Sequence, residues 1–206
     1  MYSFRNDYSE GAHPKVLQAL ADTNLRQTVG YGMDPCCQAA ADTIRRLCAA
    51  PDAAVHFLVG GTQVNLVTID AFLQSYEAVV AAQTGHVSTH ETGAIEATGH
   101  KVCTVESPDG KLTPALVESV LAGHNGTEHM VLPRMVYISD TTEIGTVYTR
   151  AELAALRQCC DVHGLFLYLD GARLGSALTS PDNDLTLPEL AALTHAFTLS
   201  LIHISE

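Results

Sequence analysis

The chain has 206 residues, 47% of them hydrophobic, and its 23 acidic and 11 basic residues give a net charge of −12. This length can bury a sizeable core in one domain. An acidic balance without a basic patch excludes nucleic acid and anionic membrane surfaces as expected partners, and no apolar stretch is long enough to span a bilayer.

Strands and helices alternate along the chain after an N-terminal helical arm, residues 1–50, which is broken at Gly30, Gly32 and Pro35. In chain order the predicted elements are strand 54–59, helix 62–74, strand 78–82, helix 88–98, strand 101–105, helix 114–121, strand 134–139, a helix capped by Thr149 and ending near 163, strand 165–169 and helix 187–193. This alternation predicts an α/β fold, with a mixed, mostly parallel sheet flanked by helices.

The six cysteines include two adjacent pairs, which argues against a disulfide framework and for reduced thiols in a cytoplasmic protein. One of these pairs, Cys159 and Cys160, lies close to His163. A metal site would be one interpretation, but the paired C-x-x-C spacing that zinc sites favour is missing. We therefore expect no metal.

The strand predicted at 165–169 ends in Asp170, and Arg173 follows three residues later. In open α/β sheets, ligands bind beyond the carboxyl ends of the strands. A carboxylate there can hold a heteroaromatic nitrogen protonated, and an arginine can bind a carboxylate through two parallel hydrogen bonds. These two residues favour pyridoxal phosphate as cofactor and an amino acid as substrate.

Two further strand ends carry candidate ligand-binding residues. Gly60, Gly61 and Thr62 follow the strand predicted at 54–59, where glycines allow close backbone approach and a helix start offers free N–H groups to a phosphate. An ordinary tight turn is the alternative, because neither a G-x-G-x-x-G motif nor a P-loop lysine is present. His86 follows the strand predicted at 78–82 and could stack on a pyridine ring; the alternative is a solvated loop histidine.

The chain resembles the threonine aldolase and β-eliminating lyase family, whose members use pyridoxal phosphate. The stretches that carry this resemblance are residues 4–8, 30–35, 57–62 with Asn65, 85–96 and 169–173. The resemblance implies the aspartate aminotransferase fold, with residues 51–199 as the large cofactor-binding domain. It also implies cleavage of a β-hydroxy-amino acid to glycine and an aldehyde, by a homodimer or homotetramer.

The same resemblance assigns roles to the cofactor-binding residues. It implies that Gly61 and Thr62 bind the phosphate, with Gly60 adding a backbone contact. It implies that His86 stacks on the pyridine ring, and that Asp170 holds the ring nitrogen protonated.

The resemblance also implies which residues bind the substrate. Arg173 would bind the substrate carboxylate, helped by Asn6, and Tyr31 would close the site from the same subunit or from its partner. With His86 and Asp170, Arg173 completes the expected catalytic set.

The chain departs from the family where the lysine that binds the cofactor covalently is expected. His203 stands near that position, and the three lysines present, Lys15, Lys101 and Lys111, occupy positions typical of solvated charges. An imidazole cannot replace an amine in this chemistry. We therefore expect the chain as given to be inactive, to lack the family's small C-terminal domain, and to end in a non-native tail over residues 200–206.

Two other functions stay open at this point. One is a non-catalytic fragment of the family that binds the cofactor weakly or only associates with a full-length subunit. The other is a Rossmann-type nucleotide-binding domain that uses Gly60 and Gly61. No acidic residue ends the strand at 78–82, where such a domain would bind a ribose, and this counts against it.

Overall fold

The computed structural model describes residues 5–124 and 126–201. The strands are β1 (Glu77–Ala82), β2 (Val102–Val105), β3 (Leu132–Ser139), β4 (Phe166–Asp170) and β5 (Ala196–Phe197). They form one sheet in the order β2-β1-β3-β4-β5. Each pairing between these described strands is parallel, which agrees with the predicted sheet.

Helices connect the strands and cover the sheet. They are α1 (Pro14–Thr23), α2 (Pro35–Leu47), α3 (Gly61–Phe72), α4 (His86–Thr89), α5 (Ala94–Ala97), α6 (Pro114–Ala122), α7 (Arg150–His163), α8 (Leu174–Thr179) and α9 (Leu187–Leu193). Helix α7 begins at a capping box of Thr149 and Glu152 and ends at Gly164, whose φ of 66° allows a left-handed cap. Within the described residues, no helix is both long and apolar enough to cross a membrane.

The core lies on both faces of the three central strands. On one face, residues of β3 and β4 pack with α6, α7 and α9 around Leu153, Leu156 and Leu190. On the other face, the strands pack against Ile69 of α3 and Ile95 of α5. Fully burying one such side chain contributes about 1.5–3 kcal/mol. The two apolar layers therefore hold the ends of β1, β3 and β4 in fixed positions.

The order of the strands creates a topological switch point at the carboxyl ends of β1 and β3. The chain leaves β1 for β2 on one side and returns to β3 on the other side, so the direction of winding switches between β1 and β3. Loops that leave the carboxyl ends of strands at such a switch point diverge and make room for a ligand. His86 begins α4, which follows β1, and Glu143 lies on the loop that leaves β3.

The strand predicted over residues 54–59 is wrong, because that segment has no regular secondary structure. Phe57, Leu58 and Val59 are all exposed. A strand needs a second strand beside it to bind its backbone N–H and C=O groups. An apolar run in the sequence does not show whether such a partner strand is present. This segment has no ladder with any of the five described strands.

The helix predicted over residues 88–98 is replaced by the single turns α4 and α5. Between them, Thr92 and Gly93 have φ angles of 51° and 77°. Left-handed residues interrupt a right-handed helix, and for a β-branched threonine this conformation is strained. The break turns Glu91 into the protein, where it becomes part of the site. The other helices predicted after residue 60, those over 62–74, 114–121, 150–163 and 187–193, are present within one or two residues.

The predicted tail falls largely outside the described residues. Ser200 and Leu201 are described, and the backbone N–H of Ser200 donates to the carbonyl of Gly171 at 3.4 Å. Residues 202–206, including His203, lie outside the described part. The domain boundaries at 50 and 199 stay a prediction.

Candidate active site

Asp170, the last residue of β4, is buried (7% exposed) and surrounded by hydrogen-bond donors. Its Oδ2 accepts from the Tyr137 hydroxyl at 2.6 Å and from Asn65 Nδ2 at 2.9 Å. Its Oδ1 accepts from the backbone N–H of Ala172 at 2.9 Å and from the Thr198 hydroxyl at 3.4 Å. All four donors are neutral. The carboxylate is therefore held rigidly without a cationic partner among these four groups.

Two neighbouring tyrosines act as donors in this site. Burial, and the nearby Asp170 carboxylate, raise the pKa of Tyr137 well above its usual range. Burial likewise raises the pKa of Tyr168. Both phenols therefore keep their protons and donate.

Asn65, in the second turn of α3, connects Asp170 to a second buried carboxylate. The Tyr168 hydroxyl donates to Asn65 Oδ1 at 2.6 Å, which fixes the orientation of the amide. Nδ2 then donates both to Asp170 and to Glu91 Oε1, the latter at 2.6 Å. One side chain thus joins β4 to the loop between α4 and α5.

His86 extends this chain of hydrogen bonds to the loop after β1. Its Nδ1 lies 2.8 Å from Glu91 Oε1, and its backbone N–H donates to Glu143 Oε1 at 2.9 Å. The hydrogen bond to the Glu91 carboxylate raises the pKa of His86, although partial burial opposes it. Ser139, at the end of β3, donates to Glu143 at 2.7 Å. His86 and Asp170 are therefore joined through Glu91 and Asn65 in one hydrogen-bond network, and their shared role stays a prediction.

Gly60, Gly61 and Thr62 form the start of α3, next to this network. Apart from the adjoining backbone, a Cβ added at Gly60 or Gly61 would meet no atom of the described residues within 4 Å, so the backbone there faces open space. Asn65 lies four residues after Gly61, about 6 Å along the helix axis. Because Asn65 bonds to Asp170, the free N–H groups of the helix start lie near the end of β4.

Gly171, next to Asp170, is packed closely instead. A Cβ there would collide with the carbonyl oxygen of Thr198. The backbone N–H of Gly171 donates to the Thr198 hydroxyl at 2.8 Å. The absence of a side chain at Gly171 therefore lets the segment after β5 lie against the end of β4.

Arg173 precedes α8 and pairs with a residue that sequence analysis did not single out. Its Nε and Nη2 donate to Asp7 Oδ2 and Oδ1 at 2.6 and 3.0 Å. Both side chains are 40% exposed. The pair uses one edge of the guanidinium and leaves the edge of Nη1 and Nη2 for a second carboxylate, which is the geometry that arginine offers to planar anions.

Two predicted substrate residues lie in the N-terminal segment. Asn6, next to Asp7, accepts from the backbone N–H of Tyr8 at 3.3 Å and from the Ser9 hydroxyl at 2.6 Å. Its sequence neighbour therefore brings it to the Arg173 side of the site. Tyr31 is fully exposed, with a φ of 63°. Its role stays a prediction.

Several residues of the network were missed as site residues by sequence reasoning. They are Asp7, Asn65, Glu91, Tyr137, Ser139, Glu143, Tyr168 and Thr198. Asn65 and Glu91 fell within stretches that resemble the family, but no role was attached to them. Ser139 ends a buried strand and Glu143 follows it, and that position was the signal that could have found them.

Outside this site, Glu118, Cys159 and His163 approach one another, with ligand atoms within 4.8 Å. A bound zinc ion would draw such atoms to about 3.5 Å from one another. Burial raises the pKa of the Cys159 thiol, which disfavours the thiolate that a metal needs. Glu118 and His163 are already close, at 3.6 Å. These observations favour an ordinary polar contact, and the absence of a metal stays a prediction.

Known proteins share this arrangement of strands and helices. A family model for beta-eliminating lyases matches residues 4–201. The chain belongs to the beta-eliminating lyase family. This confirms the family predicted from the sequence.

Two relatives of this family member are threonine aldolases. Over 176 residues the chain is 37% identical to the low specificity L-threonine aldolase of a Pseudomonas species, covering 84% of this chain and 50% of the relative. A solved structure of Leishmania major threonine aldolase is 57% identical, with a TM-score of 0.93 over 96% of this chain and 57% of that chain. The chain thus spans about half the length of the curated relative.

A more distant structure supports the fold alone. Thermus thermophilus aspartate aminotransferase is 18% identical, with a TM-score of 0.56 over 78% of this chain and 42% of that chain. The mostly parallel sheet with flanking helices is therefore the aminotransferase fold, as predicted. Family membership does not favour the nucleotide-binding alternative.

Proposed function

We propose that this chain is the cofactor-binding part of a pyridoxal-phosphate-dependent lyase that cleaves a β-hydroxy-amino acid to glycine and an aldehyde. The observation that carries the proposal is Asp170, a buried carboxylate at the end of a parallel strand with four neutral donors around it. The Pseudomonas and Leishmania relatives, both threonine aldolases, support the substrate class.

The residues present fit pyridoxal phosphate. A protonated pyridine nitrogen would give Asp170 the cationic partner that its four neutral donors do not provide. The open space at Gly60 and Gly61, and the free N–H groups at the start of α3, suit a phosphate. When bound, the cofactor supplies an electron sink for bond cleavage at the amino acid.

The side chains of this chain have distinct tasks in the proposal. Asn65 and Tyr137 fix the position of Asp170, because both donate to its Oδ2. His86 would stack on the cofactor's ring, and Thr62 would add a hydroxyl donor to its phosphate.

The substrate end of the site relies on Arg173. Its free guanidinium edge binds the substrate carboxylate, with help from Asn6, while Asp7 holds the other edge. Tyr31 closes the site. A cytoplasmic homodimer or homotetramer is part of the same proposal.

Activity of the chain by itself would require one of its lysines to lie at the candidate site. Lys111 Nζ is bound to Glu152 at 2.6 Å, and Lys15 and Lys101 are exposed on α1 and before β2. In the part of the chain that the structure describes, none of them takes part in the hydrogen-bond network around Asp170. The 206-residue chain alone should therefore give no aldolase turnover, and a non-catalytic role that depends on a complete subunit is the second candidate. Glycine formation from threonine by the pure chain would contradict this.

The proposed function is tested on a protein that carries the family's lysine segment and small domain after residue 197. With pyridoxal phosphate it should turn yellow and cleave threonine. Asp170→Ala should lose most of the activity and bind the cofactor at least tenfold more weakly, because an interaction of about 1.4 kcal/mol or more disappears. Asp182→Ala, at an exposed position, is the matched control. Full activity in the Asp170→Ala protein would refute the role of this carboxylate.

A further inference from the structure

Glu91 is a buried carboxylate between two residues of the proposed site. It is 2% exposed, and its Oε1 lies 2.6 Å from Asn65 Nδ2 and 2.8 Å from His86 Nδ1. Its Oε2 is buried without a hydrogen-bond partner among the described residues. An unsatisfied buried acceptor costs about 1–3 kcal/mol. A residue retained at this cost is a candidate for a task other than stability.

The partners of Glu91 determine where the proton of His86 lies. Tyr168 donates to Asn65 Oδ1, so Asn65 Nδ2 must donate to Glu91. Oε1 is then an acceptor, and the proton between it and His86 Nδ1 stays on the imidazole, which is the stronger base. Nδ1 therefore carries a hydrogen that is committed to Glu91.

The charges around His86 favour its protonated form. Glu91, between α4 and α5, faces the imidazole ring of His86. Glu143, on the loop after β3, accepts the backbone N–H of His86, and the charge of Asp170 at the end of β4 also favours the protonated ring. His90 is a further titratable neighbour, with its ring centroid 5.5 Å from that of His86. The three carboxylates together raise the pKa of His86, with the Glu91 hydrogen bond as the largest cause.

We propose that Glu91 is a positioning residue that holds the Nδ1 proton of His86 and favours the imidazolium form, which puts a positive charge where the cofactor's ring would stack. The use of this charge rests on the proposed function, because a cation over the ring stabilises negative charge that develops during bond cleavage. The charge state itself depends only on residues of this chain. Nε2 has no hydrogen bond within the described residues, and the side chain is 36% exposed, which leaves this nitrogen accessible to a ligand.

The test is an NMR titration of the histidine rings in the cofactor-free chain. In the wild type, His86 should titrate above 6.5, its ordinary pKa. Glu91→Gln, which removes the charge and keeps the shape, should lower this pKa, because the hydrogen bond to Glu91 is the largest cause that raises it. Glu96→Gln, an exposed glutamate of α5, is the matched control and should leave it unchanged.

The pH dependence of stability gives an independent readout. A raised pKa in the folded state means that the folded chain holds more protons than the unfolded chain. The extra stability is therefore fully present below about pH 6.5, and it is lost as the pH rises through the folded-state pKa. Glu91→Gln should remove this contribution. Circular dichroism checks that the variant is folded, and the wild-type titration needs no variant at all.

The outcomes separate this inference from the proposed function. A wild-type His86 that titrates at or below 6.5, or one unaffected by Glu91→Gln, overturns the role of Glu91 whether or not pyridoxal phosphate binds. A raised His86 pKa that depends on Glu91 supports it. Failure of the lysine-containing protein to bind the cofactor would instead count against the proposed function and leave the charge assignment intact.

Discussion

The described residues before α3 and those from α3 onward differ sharply in how they are packed. Within residues 5–60, only Ala41 and Cys48 are buried, and apolar side chains such as Leu20 and Val59 are exposed. From α3 onward, the central strands are buried on both faces. The comparison teaches that the stability of this chain lies in the sheet, whereas Asn6, Tyr31 and Gly60 belong to a segment with few internal contacts.

The largest expected difference comes from one leucine-to-alanine change in each region. Leu169→Ala, at a fully buried position of β4, should lower the free energy of unfolding by about 2–5 kcal/mol, because it leaves a cavity. Leu20→Ala, at a position of α1 that is 60% exposed, should change it by at most about 0.5 kcal/mol. Urea unfolding measures both. Equal losses would mean that the first region packs more tightly than described.

A buried acid in the sheet region should make stability depend on pH. Burial raises the pKa of Asp140 to about 6 from its ordinary 3.8. Between these values Asp140 holds more protons in the folded chain than in the unfolded one, so its own contribution to the free energy of unfolding falls by about 2–3 kcal/mol as pH rises from about 4 to 6.

Replacement of Asp140 sharpens this expectation. Asp140→Asn should remove the contribution of Asp140 to the change of the free energy of unfolding with pH, as measured by urea unfolding at several pH values. Asp182→Asn, at an exposed position, should leave the slope unchanged. An Asp140→Asn protein with the wild-type slope would assign the pH dependence to another group.

Tyr137→Phe tests the anchoring of Asp170 within the sheet region. The change removes one donor to a carboxylate oxygen and should cost about 1.5 kcal/mol, the low end for a charged hydrogen bond, since Asn65 still donates to the same atom. Urea unfolding gives the loss, and Tyr76→Phe, at an exposed tyrosine, is the control. An unchanged stability would mean that Tyr137 contributes through its ring alone.

The smallest effect is expected where the two regions meet, at Asp7 and Arg173. Both side chains are 40% exposed, so Asp7→Asn should cost no more than about 1 kcal/mol. In the lysine-containing protein it should mainly raise KM, because Arg173 loses the partner that orients it. Asp52→Asn, at an exposed position in the same region, is the control. A change in kcat with KM unaffected would contradict this role.

Helices and strands that are determined by residues within their own segment could be predicted from the sequence. Helix α7 follows from a capping box and a terminal glycine, and β4 from an apolar run that ends in a carboxylate. The strand predicted at 54–59 failed because pairing depends on a distant neighbour. The helix predicted at 88–98 failed because Thr92 adopts a left-handed conformation that its residue type disfavours.

The same distinction applies to the site. Asp170 and Arg173 could be proposed because strand ends and charge type are visible in the sequence. Asn65 could not be given its role, because its partners Glu91 and Asp170 are 26 and 105 residues away. Side-chain networks form only when distant elements are packed together, so the residues that orient the proposed catalytic groups emerged only from the fold.

The glycines of the site differ in what they would tolerate in a library of random variants. Gly171 has no room for a side chain, because the carbonyl of Thr198 occupies that place, whereas Gly60 and Gly61 face open space. Selection for protein abundance should therefore remove variants at 171 and retain alanine at 60 and 61. Selection for cofactor capture should remove variants at all three. The two screens together would separate the glycines that folding requires from those that a ligand requires.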